Sequence, residues 1–391
     1  MASRCISHAL LALSLGAVST ISHTSFAQAG VPASEHIPQV GDNSSEPGPL
    51  ATDLSPALRP TDIKRATKRV ADWQLARVAD TPSQDWTFAT LYAGFIAASA
   101  TLHDQRYANN VQSVAEHFNW TLGKRQSHAD DQAIGQSYIA LDRLKHDPSR
   151  ITPTREQFDR IMLLPDDPNR PLWWWCYALF MAPPVWAGLS NLTADPKYLT
   201  YMDHEWHLSA DLLWDKDEHL FYRDSTFFNA REKNGKKVFW SRGNGWVMGG
   251  LVHVLDEISA NDPRRPFYLD KFQQMAQKIA AIQQQNGLWS PGLLDAADYP
   301  LPENSGSAFF VYALAWGINH HILNQQKYGP VIASGWKGLV GNIYQDGRLG
   351  SIQPIGGSPA AFLPGSSYVF GTGAFLMAGS EVEIYSHSFK H

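Results

Sequence analysis

The sequence predicts an all-α chain folded as a closed double ring of helices, an (α/α)6 barrel. The first observation behind this is a segment that recurs six times, in which polar or aromatic residues lead straight into an apolar run rich in small side chains. Its copies begin near Asp85, Ala129, Trp173, Phe239, Ser305 and Gly371, about 44, 44, 66, 66 and 66 residues apart. The second is the set of more charged segments between them, Asp62 to Arg77, Asp104 to Phe118, Lys197 to Leu213 and Tyr268 to Gln285, whose apolar positions fall three and four apart. A helix apolar nearly all round must be buried on every side, and six such helices wrapped by amphipathic partners make a double ring. An open helical solenoid uses the same parts, but these copies differ in length and share no tight consensus.

Taken in order, the chain begins with a secretory pattern: Arg4, an apolar run from Ala9 to Val18, and Ser25-Phe26-Ala27, whose small residues suit signal peptidase. The apolar run is about ten residues against the roughly 20 that a spanning helix needs. The expectation is a signal peptide over 1–27, cleavage after Ala27, and a periplasmic or secreted protein. Residues 28–60 are rich in Pro, Gly, Ser and acidic residues without periodicity and read as a flexible leader. Residues 61–391 read as one barrel domain, since 44% hydrophobic and 12% aromatic content without low-complexity breaks supports one large core.

Charge and cysteine content narrow the function classes. A net charge of -5 gives no electrostatic reason to expect nucleic acid or an anionic membrane as partner. Cleavage after Ala27 removes Cys5 and leaves Cys176 alone, so no internal disulfide is available. His219, His253, His320 and His321 lack metal-ligand spacing, and there is no phosphate-cradling glycine loop or Gly-x-Ser-x-Gly elbow. No cofactor is expected, and the oligomeric state is not legible.

In a double ring the inner helices start at one end, so residues at their first turns gather around a single pocket. They are Trp86, Asp130, Asp131, Trp173 to Trp175, Arg242, Trp246 and Glu303. Indole faces stack on sugar rings, carboxylates move protons, and a guanidinium grips a carboxylate through paired hydrogen bonds. That combination suits an acidic sugar. Each residue also has a plainer role: tryptophans fill cores, Asp130, Asp131 and Glu303 suit helix caps, and Arg242 suits an ion pair.

The phrases WWWCYALFMAPP, FYRDSTFF, FWSRGNGWVMGGL, ENSGSAFFVYALAWGI and GSIQPIG resemble family 105 of the glycoside hydrolases, the unsaturated rhamnogalacturonyl hydrolases, over about Thr61 to Tyr385. The resemblance implies a six-hairpin glycosidase barrel. It also implies hydrolysis of the unsaturated uronic acid that a lyase leaves at the non-reducing end of pectin-type rhamnogalacturonan oligosaccharides. The family hydrates the C4=C5 double bond: a carboxyl gives a proton to C4, water adds at C5, and the product collapses to release the sugar. The partner implied is thus an acidic oligosaccharide. By carry-over, Arg242 holds the substrate carboxylate or ring substituents, Trp175 and Trp246 wall the sugar, and Arg223 and Glu303 complete the binding set. Asp130 or Asp131 is the acidic residue of the second inner helix, with the choice between them open. Tyr177 stands where similar sequences have the acid/base aspartate of Trp-Cys-Asp. A phenol with a pKa near 10 is a far weaker acid than a carboxyl near 3.9. The alternatives are therefore another carboxyl as donor, a noncatalytic saccharide-binding barrel, or an inverting glycosidase using two carboxylates.

Overall fold

The computed structural model describes residues 40–165, 167 and 171–389. Strand β1 (Gly41–Ser44) comes first, followed by helices in alternating outer and inner positions. The first pair is α1 (Pro60–Val78) and α2 (Trp86–Leu102); the second is α3 (Gln105–His117) and the broken α4 and α5 (Ala129–Gln132, Gly135–Leu144). Next come α6 (Pro148–Ile161) with the broken α7 and α8 (Ala178–Met181, Pro183–Thr193), then α9 (Pro196–Leu213), the short strands β2 (Trp214–Asp215) and β3 (Leu220–Phe221), and α10 (Ser241–Glu257). The last pairs are α11 (Arg265–Ala281) with α12 (Asn304–Asn319), and α13 (Gln325–Val340) with α14 (Val369–Ser386), which strand β4 (Gly365–Tyr368) introduces.

The predicted ring is what forms. Going round, α2 packs on α4 and α5, α5 on α8, α7 and α8 on α10, α10 on α12, α12 on α14, and α14 returns to α2. Inner helices are buried all round: every residue of α12 from Asn304 to Ile318 is inside. The outer α3 buries only the stripe Tyr107, Ala108, Val111, Val114 and Ala115. The closing contact is a close backbone approach, since a Cβ on Gly94 would lie 2.5 Å from the Gly373 carbonyl oxygen and one on Gly373 would lie 2.3 Å from that of Thr90. Only glycine fits this seam.

Three expectations need correction. Outer helices α6 and α13, two of the six expected but not located from sequence, each carry an internal proline, Pro153 and Pro330, that blurs the helical pattern. The third inner helix starts at Ala178 rather than Trp173 and breaks before Pro183-Pro184, where two consecutive ring nitrogens cannot donate. The leader does not run to residue 60. β1 pairs antiparallel with β4, Leu50 bridges to Tyr344, and Asp53 pairs with Arg69. The signal-peptide expectation lies outside the described residues.

The connections are lopsided. Inner-to-outer links are short, at 103–104, 145–147, 194–195, 258–264 and 320–324, whereas outer-to-inner links include 162–177, 214–240, 282–303 and 341–368. The long links all lie at the end where inner helices start, and they account for the 66-residue spacing. Loops placed by a rigid scaffold are where binding chemistry concentrates.

Candidate active site

Asp130 sits in the first turn of α4, capped by His128, whose Nδ1 accepts the Asp130 amide at 3.3 Å. Its side chain is buried, and Oδ1 has no hydrogen-bond partner among the described residues. Burial pushes the carboxyl up to about 7, a rise that Asp85 and Asp131 reinforce and Arg125 and Arg223 oppose. Near neutrality this group exists in both protonation states, which suits proton transfer.

Asp131 is occupied elsewhere. It accepts the Arg125 amide at 2.7 Å and the Arg125 guanidinium at 2.9 and 2.5 Å, fastening the 123–125 loop beside α4. Tyr177, half-buried just before α7, accepts a hydrogen bond from Arg223 Nη2 at 3.1 Å. Burial pushes the phenol up to about 12, so it stays protonated. Its ring meets Trp86, Trp175 and Trp240 with centroids 6.2, 5.8 and 6.5 Å away, and Trp175 lies 4.8 Å from the His128 ring. Trp86, Tyr177 and Arg223 are partly open and Trp174 is exposed, so aromatic faces and the Arg223 guanidinium reach solvent on the side of the ring where Asp130 lies.

Arg223 arrives on the link that follows the β2–β3 hairpin. Asn244 fixes that hairpin to α10, accepting the Phe221 amide at 2.8 Å and donating to its carbonyl at 3.1 Å. One arm of Arg223 pairs with Asp224, another meets Tyr177, and Nε has no partner.

The structure assigns four sequence candidates to the wall. Arg242 is fully buried between the rings of Trp240 and Phe370, 4.4 and 4.7 Å away, and its Nη atoms donate to the carbonyls of Gln353 and Pro354 at 2.5 and 2.7 Å. Its two Nη groups hold the 353–358 loop, and its Nε is buried without a partner among the described residues. Glu303 is the N-cap of α12, accepting the amides of Ser305 and Gly306 at 3.2 and 2.7 Å, and it also takes the Gln353 amide at 3.1 Å. Trp246 is enclosed by Trp86, Phe180 and Phe309, and Trp175 is buried against His128 and Tyr177. His128 was missed; its signal was its place two residues before Asp130 in a capping position. Among the described residues no group of three His, Cys, Asp or Glu side chains is placed to hold a metal ion.

The profile described as Glycosyl Hydrolase Family 88 matches residues 62–386. The chain belongs to this family. A Formosa agariphila protein named unsaturated 3S-rhamnoglycuronyl hydrolase is 38% identical over 83% of this chain and 91% of its own length. Among solved structures, a family 88 glycosyl hydrolase from Bacteroides vulgatus aligns with a TM-score of 0.80 at 29% identity, over 83% of this chain and 99% of its own. A structure named as a polysaccharide lyase aligns with a TM-score of 0.79 at 32% identity, over 84% and 98%. A family 105 hydrolase of C. acetobutylicum shares the fold at 18% identity with a TM-score of 0.68 over 81% of this chain and 99% of its own. The family 88 barrel thus agrees with the architecture read from the repeats, and the chain is a glycoside hydrolase by family.

Proposed function

We propose that the chain hydrolyses a terminal unsaturated uronic acid from lyase-generated oligosaccharides, with rhamnose as the adjoining sugar, and that Asp130 is the proton donor. The observation that carries the reading is a buried carboxyl poised near neutrality, with an unpartnered oxygen, on the side of the ring where aromatic faces and one guanidinium reach solvent. Protonated Asp130 gives its proton to C4, and water adds its oxygen at C5. The Asp130 carboxylate takes the remaining water proton and is restored. The hemiketal then opens to a ketone, and the hemiacetal freed at C1 expels the neighbouring sugar. Arg223, rather than Arg242, is the cation left on that side to meet the uronate carboxylate, and Trp86 and Trp174 offer faces to the sugar. Export through the amino-terminal signal pattern brings the enzyme to the compartment where lyase products form.

A second reading rests on Tyr177 and on the polysaccharide lyase among the solved neighbours. There the Asp130 carboxylate would remove the C5 proton of a saturated uronate, the C4–O4 bond would break, and the Tyr177 phenol would protonate O4 as the double bond forms. One assay separates the two readings by sign. Incubated with unsaturated uronyl-rhamnose oligosaccharides, bare or sulfated, the protein is expected to bleach the ultraviolet absorbance of the C4=C5 bond and release a keto acid. Absorbance rising from a saturated oligosaccharide instead would replace hydration with elimination.

A further inference from the structure

At the opposite end of the barrel, the carboxyl-terminal halves of the inner helices line a cavity of about 270 Å³ that opens to solvent. Nothing in the hydrolytic reading uses it. Three carboxylates face it: Asp256 and Glu257 from the last turn of α10, and Glu381 from α14. Arg143 of α5 is committed to Glu257, donating from both Nη atoms at 2.7 and 2.6 Å. Arg265 donates at 2.6 Å to the carbonyls of Leu255 and Ile258. Asp256 and Glu381 are left with neutral donors, the Trp316 indole at 2.9 Å and the Asn319 amide at 2.7 Å. The next side chain able to carry positive charge is His320, whose Nε2 stands 3.8 Å from Asp256, too far for a direct bond. Helix carboxyl termini add their own partial negative charge.

Two hydroxyls on the cavity wall lack a protein partner, and one of them is buried. Tyr312, buried as a residue, lines the cavity with an accessible hydroxyl that has no protein partner among the described residues. Ser137, 1% exposed, also lines it with an orphaned Oγ. Burying hydroxyls without partners is costly, so such groups signal a ligand or solvent. Burial pushes Glu381 up and brings Asp256, which keeps an edge open to solvent, up to about 6, the signature of under-compensated negative charge. The remaining wall is hydrocarbon from Ile96, Ala97 and Met377. No three acidic or histidine groups converge closely enough for a metal ion, so the geometry suits a larger and more diffuse cation.

We propose that this cavity binds a small organic cation, a primary alkylammonium, with its charged head between Asp256, Glu381 and the Tyr312 hydroxyl and its hydrocarbon tail against Ile96, Ala97 and Met377. The site is separate from the catalytic end and does not depend on the hydrolytic reading. Calorimetric titration of the full chain with n-butylammonium chloride tests it, with n-butanol and sodium chloride as controls. The expected result is saturable binding of one butylammonium per chain, unchanged in Asp130→Asn and weakened by about tenfold or more in the Asp256→Asn/Glu381→Gln variant. That variant keeps its hydrogen-bonding shape and removes the charge of one exposed and one half-buried carboxylate, and its thermal unfolding, checked alongside, should stay close to the parent's. Tyr312→Phe gives a second and independent loss. Equal binding by n-butanol, undiminished binding in the double variant, or no binding by the parent would each overturn the proposal.

Discussion

In the proposed reaction a single carboxyl carries most of the chemistry. Asp130 and Asp131 are neighbours in one helical turn, yet about 100° of rotation per residue points them at different surroundings. Asp131 meets an arginine six residues upstream, while Asp130 turns into a nearly dry recess. The sequence showed two equivalent aspartates because the partner that separates them is a matter of loop path. Two effects follow from the raised Asp130 pKa. The proton donor is the acid form, so kcat should fall as pH rises through about 7, measurable as a pH–rate profile. The groups facing Asp130 are His128, Arg125, Asp131, Asp85, Tyr177 and Arg223, and none supplies it with a close ion pair. Because the folded-state pKa lies above the ordinary carboxyl value, the stability from the protonated form is complete below about pH 4 and is lost as pH rises toward 7. Asp130→Asn buries no charge. It should therefore unfold at a higher temperature than the parent at pH 8, by up to about 4 kcal/mol before relaxation, with the gap closing at pH 4.

At the scale of elements, the Arg-Gly-Asn-Gly-Trp segment at the start of α10 acts as a fastening. Asn244 ties the β2–β3 hairpin, and Arg242 ties the 353–358 loop from inside the wall. The motif was legible as important, but not its fastening role. An arginine that grips a substrate carboxylate and one that grips two backbone carbonyls look alike in sequence, and the partners lie 111 and 112 residues away. Arg242→Lys keeps the charge but not the fork that spans both carbonyls. It should destabilise the protein by about 2 to 3 kcal/mol in urea denaturation and raise KM as the loop loosens.

On the scale of the whole molecule, the ring was readable because inner helices must be apolar on every side and outer ones on a single stripe, and period and composition report both. The two outer helices with internal prolines were not, since packing against the ring offsets a local break that sequence alone treats as final. The seam between α2 and α14 joins residues far apart in the chain and depends on paired glycines. A Gly373→Val substitution drives a side chain into the α2 backbone and should cost about 3 kcal/mol or more, read as a lowered Tm.

The most direct test of the account is the rate at which the double-bond absorbance of an unsaturated uronyl-rhamnose oligosaccharide disappears with the parent, Asp130→Asn and Tyr177→Phe proteins side by side. The account predicts bleaching by the parent, a loss of about 10²- to 10⁴-fold in Asp130→Asn, and most of the rate retained in Tyr177→Phe. Bleaching by Asp130→Asn at the parental rate would contradict it.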